Sequence, residues 1–365
     1  MFLEQAIMQT TDLTKHLKVL DLSAAPGGKS THIQSLITTG SLLVSNEVIR
    51  SRAVILKDNI IKWGCNNVVV TNNDPRDFLK LKNYFDVIVV DAPCSGSGLF
   101  RREPDAINHW SENNVIHCCQ RQQRILADIW PALKEGGVLI YSTCSYSREE
   151  DEDILDWMAV NFPSESLRLD VDPVWGIVEV ASKQNAWGYR FWPYRAKGEG
   201  FFIACIRKSG EEETTRSSKH KSPAFVSNKE LATIEKWVDD KVFTYVKNQS
   251  TVYAWAESLV SDYSLLLSNL HVIYSGTIIG ELVRDKLIPH HALALSGLVN
   301  KSISFIELNY EQAISFLQRK ELQLTLEHTG WQLVKYEGNT LGWINVLSHR
   351  INNYYPKELR ILKDI

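Results

Sequence analysis

Residues 19–30, with the sequence VLDLSAAPGGKS, place a short apolar run, an acidic residue and two adjacent glycines directly before a helical pattern. This order predicts a β-strand, a tight turn and a helix. Glycines let the backbone approach a ligand closely, and the amides of a helix N-terminus favour electron-rich groups. The stretch therefore indicates a loop for a nucleotide-like cofactor, although glycines that serve only strand–helix packing would give the same pattern. The spacings Gly-x-Gly-x-x-Gly and Gly-x-x-x-x-Gly-Lys are both absent from it.

Strands and helices alternate downstream of this turn. Apolar runs predict strands at 41–45, 67–71, 86–90, 138–141 and 200–206, and helical periodicity appears at 31–37, 48–63 and 115–133. Such alternation is typical of a parallel sheet with crossover helices. We therefore expect an α/β domain of the doubly wound, Rossmann-like kind.

Acidic residues follow the ends of four predicted strands, namely Asp21, Glu47, Asp74 and Asp91. Ligands of doubly wound sheets bind beyond the carboxyl ends of the strands, so these acids are candidate binding residues. Glu47 is placed to accept hydrogen bonds from the two hydroxyls of a ribose, because it ends the strand after the glycine turn. Each acid could instead cap a helix or form a turn.

The composition of the chain bounds its class and compartment. At 365 residues, with 44% hydrophobic and 23% charged residues, it suits two or three ordinary globular domains. No run of about 18 apolar residues and no secretory signal pattern is visible, so we expect a cytoplasmic protein without a membrane partner. The net charge of -3 requires that any binding of nucleic acid use local basic patches.

Changes in composition divide the chain into three domains and a linker. The polar stretch 208–223 has linker character, and the predicted segments are 1–208, a linker at 209–225, a mixed connector at 226–302 and a β-rich module at 303–365. In the C-terminal part we expect a helix over 228–246, a hairpin over 271–282 around Gly276, and two strands within 331–347. The stretch 170–192 is expected to be irregular.

Two of the six cysteines, Cys94 and Cys144, are candidate catalytic residues. Cys94 lies in the loop DAPCSGSG at 91–98, and Cys144 ends the next strand in the sequence YSTCS at 141–145. A cysteine thiolate is a strong nucleophile that can add to an electron-poor ring carbon such as that of a pyrimidine, and Asp91 could bind the ring nitrogen edge. Free cysteines are also common as small buried hydrophobic residues. No Cys-x-x-Cys pair is present, so neither a metal site nor a disulfide framework is predicted.

Four ordered motifs carry a family resemblance: DLSAAPGGK at 21–29, DAPCSGSG at 91–98, YSTCS at 141–145 and GEGFF at 198–202. They resemble the Nol/Nop/Sun family of RNA cytosine-5 methyltransferases and cover about residues 1–208. The segments 289–294, 342–343 and 350–356 are similar to the bacterial branch that acts on small-subunit ribosomal RNA. That branch ends in a PUA-like RNA-binding domain.

The resemblance implies a fold, a reaction and a set of site residues. The fold is a Rossmann-like methyltransferase domain, a mixed connector and a PUA-like domain, and the methyl donor is S-adenosylmethionine. The resemblance assigns Cys144 as the nucleophile that forms a covalent cytosine adduct and Cys94 to product release, with Asp91 at the reacting centre. Cofactor binding is assigned to the loop and to three strand-end acids: Ser23, Ala24, Ala25, Pro26, Gly27, Gly28, Lys29, Glu47, Asp74 and Asp91.

The expected partners are ribosomal RNA and the small ribosomal subunit. Candidate phosphate contacts are Arg101, Arg102, Lys335, Arg350, Lys357 and Arg360, while Tyr354 and Tyr355 could stack on bases or fill a small core. Ser23 occupies a position where relatives often carry Cys, and relatives carry a further N-terminal RNA-binding part that is expected to be missing here. Two alternatives remain open: a transfer RNA cytosine-5 methyltransferase, and a non-catalytic RNA-binding module for ribosome assembly.

Overall fold

The computed structural model describes residues 1–210, 223–239, 243–324 and 328–363. Of these, 1–57, 68–210 and 265–274 form one compact unit, and the others form a second. The predicted linker at 209–225 falls mainly on residues 211–222, which lie outside the described part. The predicted domain boundaries stay predictions.

Short apolar runs form the central parallel strands of the first unit. These strands are β1 (Lys18–Asp21), β2 (Leu42–Asn46), β3 (Val68–Thr71), β4 (Phe85–Asp91) and β5 (Leu133–Thr143). They lie in the order β3-β2-β1-β4-β5, so the chain changes direction across the sheet between β1 and β4. Residues such as Leu20, Val44 and Val89 are fully buried, as expected for parallel strands covered on both faces.

Antiparallel strands extend this sheet beyond β5. The strand β9 (Phe201–Lys208) pairs with β5 and also with β6 (Ser164–Leu167), while β8 (Trp187–Phe191) pairs with β9 and with β7 (Val178–Ala181). The prediction that 170–192 is irregular is therefore wrong. Tyr189 is fully buried and its hydroxyl donates to the carbonyl of Leu169 at 3.2 Å, so tertiary packing determines a strand that no simple alternation reveals.

The helices of the first unit follow the predicted alternation with shifted ends. They are α1 (Phe2–Thr10), α2 (Gly28–Leu36), α3 (Arg50–Trp63), α4 (Ala106–His109), α5 (Glu112–Ile129) and α6 (Glu152–Asn161), of which α3 ends within the second unit. The helix predicted over 115–133 stops at Ile129, because Pro131 has no amide to continue the helix. The strand predicted at 138–141 begins earlier, at Leu133, and Gly136 and Gly137 lie inside it.

The second unit contains two four-stranded sheets. The first comprises β10 (Phe243–Asn248), β11 (Thr251–Ala256), β13 (Thr277–Val283) and β14 (Lys286–Pro289), and the second comprises β15 (Phe305–Glu307), β16 (Gly330–Tyr336), β17 (Asn339–Val346) and β18 (Ile351–Asn353). The remaining helices are α7 (Asn228–Ile234), α8 (Val260–Asn269), which begins in this unit and ends in the first, α9 (His291–Leu295) and α10 (Tyr310–Gln318). The two strands predicted within 331–347 correspond to β16 and β17.

Two sequence predictions fail in the C-terminal part. The helix expected over 228–246 ends at Ile234, and residues 243–246 begin β10, where they pair with β11. The hairpin expected over 271–282 is absent, because β12 (Val272–Ser275) joins the edge of the first sheet beside β3 while β13 pairs with β11. Gly276 separates them with a φ of 58°, and a side chain there would meet the Ala254 carbonyl oxygen at 2.4 Å.

Buried aromatic residues tie together the elements of the second unit. Trp343 is fully buried in a cluster with Val252 and Leu293, and Phe316 is fully buried in a second cluster with Ile344. In the described part of the chain, no helix combines the length and the apolar character needed to cross a lipid bilayer.

Candidate active site

The turn after β1 is held by backbone hydrogen bonds to both neighbouring strands. The amide of Leu22 donates to the Val89 carbonyl at 2.9 Å, and the amide of Ala24 donates to the Asn46 carbonyl at 2.8 Å. Gly27 precedes α2 with a φ of 118°, which a residue with a side chain rarely adopts. The loop is therefore fixed at the carboxyl edge of the sheet where the strand order reverses, which is the usual ligand position in this architecture.

Asp21 ends β1 beneath this loop and is fully buried. Its Oδ2 accepts a hydrogen bond from the Ser30 hydroxyl at 2.7 Å, and its Oδ1 has no hydrogen-bond partner among the described residues. Burial raises the pKa of Asp21 to about 6, although the Ser30 hydrogen bond acts in the opposite direction. An acid with one unsatisfied oxygen under a ligand loop is costly for stability, which is a common property of functional sites.

One cavity of about 320 Å³ brings together much of the predicted site. Six predicted residues line it: Ser23, Ala25, Glu47, Asp91, Cys94 and Cys144. Five other predicted loop residues do not line it, namely Ala24, Pro26, Gly27, Gly28 and Lys29. A Cβ atom added to Gly28 would meet nothing within 4 Å, so Gly28 borders open space where a ligand could approach the backbone.

Glu47 is positioned by Arg52, which sequence reasoning had not identified. The Glu47 side chain is buried, its Oε1 accepts from the Ile49 amide at 3.0 Å, and its Oε2 lies 3.5 Å from Arg52 Nη1 without a hydrogen-bond donor in the described part. Arg52 Nη2 also donates to the Ala25 carbonyl at 2.8 Å, which joins the carboxylate to the loop. A buried carboxylate with spare acceptor capacity fits the hydroxyls of a nucleoside cofactor.

Asp74 does not line this cavity. It caps the 3₁₀ helix Pro75–Lys80 by accepting from the Arg76 amide at 3.2 Å, and it also accepts from Arg76 Nε at 3.0 Å. Burial opposes ionisation, but the hydrogen bonds from Arg76 lower the pKa of Asp74. The structure thus places this carboxylate in a helix cap, and only the adjacent Pro75 reaches the cavity wall.

The two predicted thiols meet in the cavity. Cys94 follows β4 and Cys144 follows β5, and these parallel strands pair with Asp91 opposite Ser142. The two Sγ atoms lie 2.9 Å apart. The amide of Gly98 donates to the Cys144 carbonyl at 2.8 Å, which fixes the Cys94 loop against the end of β5.

The contact between the thiols makes them chemically different. A hydrogen bond from Cys94 stabilises the Cys144 thiolate and lowers the pKa of Cys144, against the opposing effect of burial. The same hydrogen bond raises the pKa of Cys94, and burial and the negative charge on Cys144 act in the same direction. The thiolate is the reactive form of cysteine, so the lowered pKa makes Cys144 the candidate nucleophile of the pair.

Asp91 is held by two side chains at the end of β4. Lys29 Nζ donates to its Oδ2 at 2.7 Å, and the Ser142 hydroxyl donates to its Oδ1 at 2.9 Å. Lys29, which had been assigned to the cofactor loop, therefore acts through Asp91 in this structure. The arrangement presents an oriented carboxylate beside the two thiols.

Besides Arg52, three polar residues that sequence reasoning did not assign line the cavity. Asn46 accepts from the Thr71 hydroxyl at 2.8 Å and donates to the Leu22 carbonyl at 3.1 Å, so it joins the loops after neighbouring strands. Arg121 and Arg124 on α5 also line the cavity, and their spacing of three on one helix was the available signal.

The candidate phosphate contacts are spread over both units. In the first unit, Arg102 is exposed, while Arg101 pairs with Glu199 at 3.0 Å and donates to the Gly198 carbonyl at 2.8 Å. In the second unit, Lys335 lies 4.0 Å from the centre of the Phe305 ring.

Lys357 and Arg360 lie at a separate cavity of about 360 Å³ in the second unit. The other described residues that line it are Gln318, Arg319, Lys320, Ile361 and Leu362, so the described lining includes four cationic side chains and no carboxylate. Arg350 lines a different cavity of this unit.

The two candidate stacking residues differ in exposure. Tyr355 is buried against the rings of Phe316 and His291 and fills the core of the second unit. Tyr354 is partly exposed and contacts the ring of Trp331. Only Tyr354 thus keeps a free face for a base.

No group of three or more His, Cys, Asp or Glu side chains suited to a metal ion occurs in residues 1–210, 223–239, 243–324 and 328–363.

The sheet order, the glycine turn after β1 and the cavity beneath it define the first unit as a Rossmann-like methyltransferase domain. The family model described as "16S rRNA methyltransferase RsmB/F" matches residues 8–207, and the model described as "Methyltransferase RsmF PUA domain" matches residues 304–361. The chain belongs to the RsmB/F family of methyltransferases and carries the PUA domain of its RsmF members.

Similar proteins extend this assignment over nearly the whole chain. The proteins named "Ribosomal RNA small subunit methyltransferase F" from Psychromonas ingrahamii and Vibrio campbellii are each 31% identical over 93% of this chain, which covers 73% and 74% of their lengths. The solved structure titled "Crystal Structure of PH0851" is 28% identical with a TM-score of 0.50, over 56% of this chain and 45% of that chain.

These comparisons confirm several predictions from the sequence. The family, the fold class, the activity as an RNA methyltransferase and S-adenosylmethionine as the methyl donor are confirmed. The assigned roles of individual site residues stay predictions.

Proposed function

We propose that the protein methylates C5 of a cytosine in small-subunit ribosomal RNA through a covalent adduct on Cys144. The observation that carries this proposal is the contact of 2.9 Å between Cys94 Sγ and Cys144 Sγ in the cavity that Glu47 and the loop residues Ser23 and Ala25 also line. A nucleophile, a second thiol and the binding residues for a methyl donor are thus close together.

The residues present fit the methyl donor. Ser23 and Ala25 line the cavity from the loop, and Glu47 offers a buried oxygen that lacks a donor, as the ribose of S-adenosylmethionine requires. The sulfonium of this donor supplies an electrophilic methyl group. Ser23, Ala25 and Glu47 would hold the donor in the cavity that the two thiols also line.

In the first step, the Cys144 thiolate attacks C6 of the cytosine. A bond forms between Sγ and C6, and the π electrons of the C5–C6 bond are displaced onto C5 and, by conjugation, onto N3, which makes C5 nucleophilic. Asp91, held by Lys29 and Ser142, orients the base by accepting a hydrogen bond from its N4 amino group. The base must leave its stack to reach the thiols.

The second step uses Cys94. Once Cys144 is bonded to C6 it carries no negative charge and accepts no hydrogen bond, so two of the causes that raise the pKa of Cys94 disappear. Cys94 can then release its proton to solvent and accept the proton from the methylated C5. The double bond reforms as the Cys144 sulfur leaves C6, and the product is free to dissociate.

We propose ribosomal RNA of the small subunit as substrate, bound through the PUA domain and local basic residues, and a cytoplasmic site of action without a bound metal. The names of the similar proteins and the cationic cavity of the second unit support this choice. The alternatives are a transfer RNA substrate and a non-catalytic assembly role. Methylation of deproteinised ribosomal RNA, assembled small subunits and transfer RNA in parallel, with bisulfite mapping of the product, separates these three cases.

The covalent mechanism is tested with Cys144→Ala, Cys94→Ala and the double variant on a denaturing gel with labelled RNA. Cys94→Ala should give a shifted band that depends on S-adenosylmethionine, because attack and methyl transfer proceed while elimination is blocked. Cys144→Ala and the double variant should give no shifted band and no product. A shifted band with Cys144→Ala would reverse the two roles. Full methylation by both single variants without any band would contradict a covalent mechanism.

A further inference from the structure

Glu150 lies between the two loops that carry the thiols. Its carboxylate is fully buried and accepts a hydrogen bond from the Ser95 amide at 2.7 Å and another from the Ser95 hydroxyl at 2.5 Å. It also accepts from the Ser145 hydroxyl at 2.6 Å. Ser95 directly follows Cys94 and Ser145 directly follows Cys144, so one side chain holds the residue after each thiol.

Further contacts hold Glu150 and the Cys94 loop in place. Gln122 Nε2 donates to the Pro93 carbonyl at 3.0 Å and approaches Glu150 Oε1 at 3.4 Å. The helix α5 therefore contacts both the Cys94 loop and Glu150. The hydroxyl of Tyr141 donates to the backbone carbonyl of Glu150 at 2.7 Å.

The neighbouring acids of the same segment are engaged as well. Asp151 accepts from the Thr143 hydroxyl at 2.6 Å, and Arg190 pairs with Glu152 at 2.5 Å. The segment that carries Glu150 is therefore anchored on the end of β5 and on β8.

A carboxylate is well suited to this position. An ionised carboxylate only accepts hydrogen bonds, so it fixes the direction of every hydroxyl that points at it, and hydrogen bonds to a charged group are stronger than neutral ones. No Lys or Arg forms an ion pair with Glu150 within the described residues, so its partners are the two thiol loops and Gln122. An acid placed only for stability would be expected to have a cationic partner when it is this deeply buried.

We propose that Glu150 is a positioning residue that holds the Cys94 and Cys144 thiols in hydrogen-bond contact. The proposal rests on the proposed function, because it matters for catalysis only if Cys144 is the nucleophile. Glu150 itself touches neither the base nor the methyl donor in this scheme. It acts through Ser95 and Ser145.

The charge of Glu150 and its role in positioning the thiols have opposite effects on the pKa of Cys144. The negative charge of Glu150 raises the pKa of Cys144, whereas the hydrogen bond from Cys94 lowers it by a larger amount. Replacing Glu150 by a neutral residue should therefore make Cys144 more reactive if only charge matters. It should make Cys144 less reactive if Glu150 keeps the two thiols in contact.

The test measures the rate of Cys144 alkylation by iodoacetamide against pH in the full chain without RNA, with peptide mass spectrometry to separate Cys144 from the other cysteines. Glu150→Gln should slow alkylation at pH 7 by about tenfold, because a hydrogen bond to a charged group is lost. The matched control is Glu149→Gln, an exposed neighbour, which should leave the profile unchanged. Equal or faster alkylation in Glu150→Gln would overturn the proposal.

Two smaller substitutions test the same proposal in case Glu150→Gln does not fold. Ser95→Ala and Ser145→Ala each remove one hydroxyl donor and should slow alkylation in the same direction by a smaller factor, while binding of S-adenosylmethionine shows that the fold is retained. If both serine variants alkylate like the parent, the proposal fails. The gel assay is independent: slower alkylation without any covalent RNA band in Cys94→Ala would leave the positioning role intact and reject the proposed function.

Discussion

Each of the two cysteines Cys94 and Cys144 changes the pKa of the other, and therefore its reactivity. Cys94 donates the hydrogen bond that lowers the pKa of Cys144, and the Cys144 charge helps to keep Cys94 protonated. At the scale of single residues, the proposed division of roles therefore depends on a contact of 2.9 Å between the two sulfur atoms and not on the two loops separately.

Replacing either cysteine by alanine should shift the pKa of the remaining cysteine, and the two replacements should give shifts of opposite sign. Cys94→Ala removes the donor and should raise the pKa of Cys144, so its alkylation profile moves to higher pH. Cys144→Ala removes the acceptor and the charge, so the profile of Cys94 should move to lower pH. Alkylation rates followed by mass spectrometry from pH 6 to pH 10 provide the measurement, with Cys205, which is fully buried, as an internal reference. Profiles that do not move would show that the thiols are independent.

Sequence reasoning found the two thiols but not the residue that joins their loops. Cys94 and Cys144 stand out because each ends a predicted strand in a short polar motif. Glu150 lies in the charged run REEDED at 148–153, and such a run ordinarily indicates a solvated surface. Its burial depends in part on hydrogen bonds from Ser95, 55 positions away, and from Gln122, 28 positions away, which no local pattern encodes. For Asp74, the alternative of a helix cap matches the observed contacts.

At the scale of elements, Asp21 at the end of β1 is a buried acid whose ionisation lowers the stability of the folded state. The folded state binds a proton on Asp21 more tightly than the unfolded chain does, because burial raises the pKa of Asp21 from 3.8 to about 6. The contribution of Asp21 to stability should therefore be most favourable below about pH 4, fall as the pH rises toward about 6, and stay reduced above that value. A difference of two pKa units corresponds to roughly 2 to 3 kcal/mol.

Asp21→Asn should remove this cost while it keeps an acceptor for the Ser30 hydroxyl. The variant should be more stable than the parent at pH 8, by roughly 1 to 3 kcal/mol, and the gain should vanish near pH 4. Urea unfolding at both pH values measures the difference. Asp105→Asn serves as the control because Asp105 is exposed, and it should change neither value. A gain that is the same at pH 4 and pH 8 would show that ionisation of Asp21 is not its cause.

The elements that sequence reasoning missed are those defined by strand pairing. The parallel strands were predicted because buried runs such as 86–90 are locally distinctive. Residues 243–246, with the sequence FTYV, are strand-forming types that the predicted helix wrongly included, and they pair with the following strand β11. The residues on either side of Gly276 alternate like a hairpin, but they join separate sheets. The local pattern there indicates two strands without indicating which strands they pair with.

At the scale of the whole molecule, the net charge of -3 hides local concentrations of positive charge. The second unit carries a cavity whose described lining includes Arg319, Lys320, Lys357 and Arg360 and no carboxylate. Phosphate groups are the natural ligands of such a site, and contacts to phosphates make the affinity for RNA depend on salt. An acidic chain can therefore bind RNA if its cations are grouped in this way.

The double variant Lys357→Ala/Arg360→Ala tests this site, since neither side chain takes part in the proposed chemistry. If both residues contact phosphates, the slope of log affinity against log salt should fall by about 1.4, because each contact to single-stranded RNA contributes about 0.7. Lys229→Ala/Lys286→Ala removes the same charge from exposed positions of the same unit and should leave the slope nearly unchanged. Filter binding between 50 and 300 mM salt measures the slopes, and the rate at saturating RNA should stay at the parent value because the thiol cavity is untouched. Equal slopes for the two double variants would mean that the cavity does not hold phosphates and that RNA is bound elsewhere on the protein.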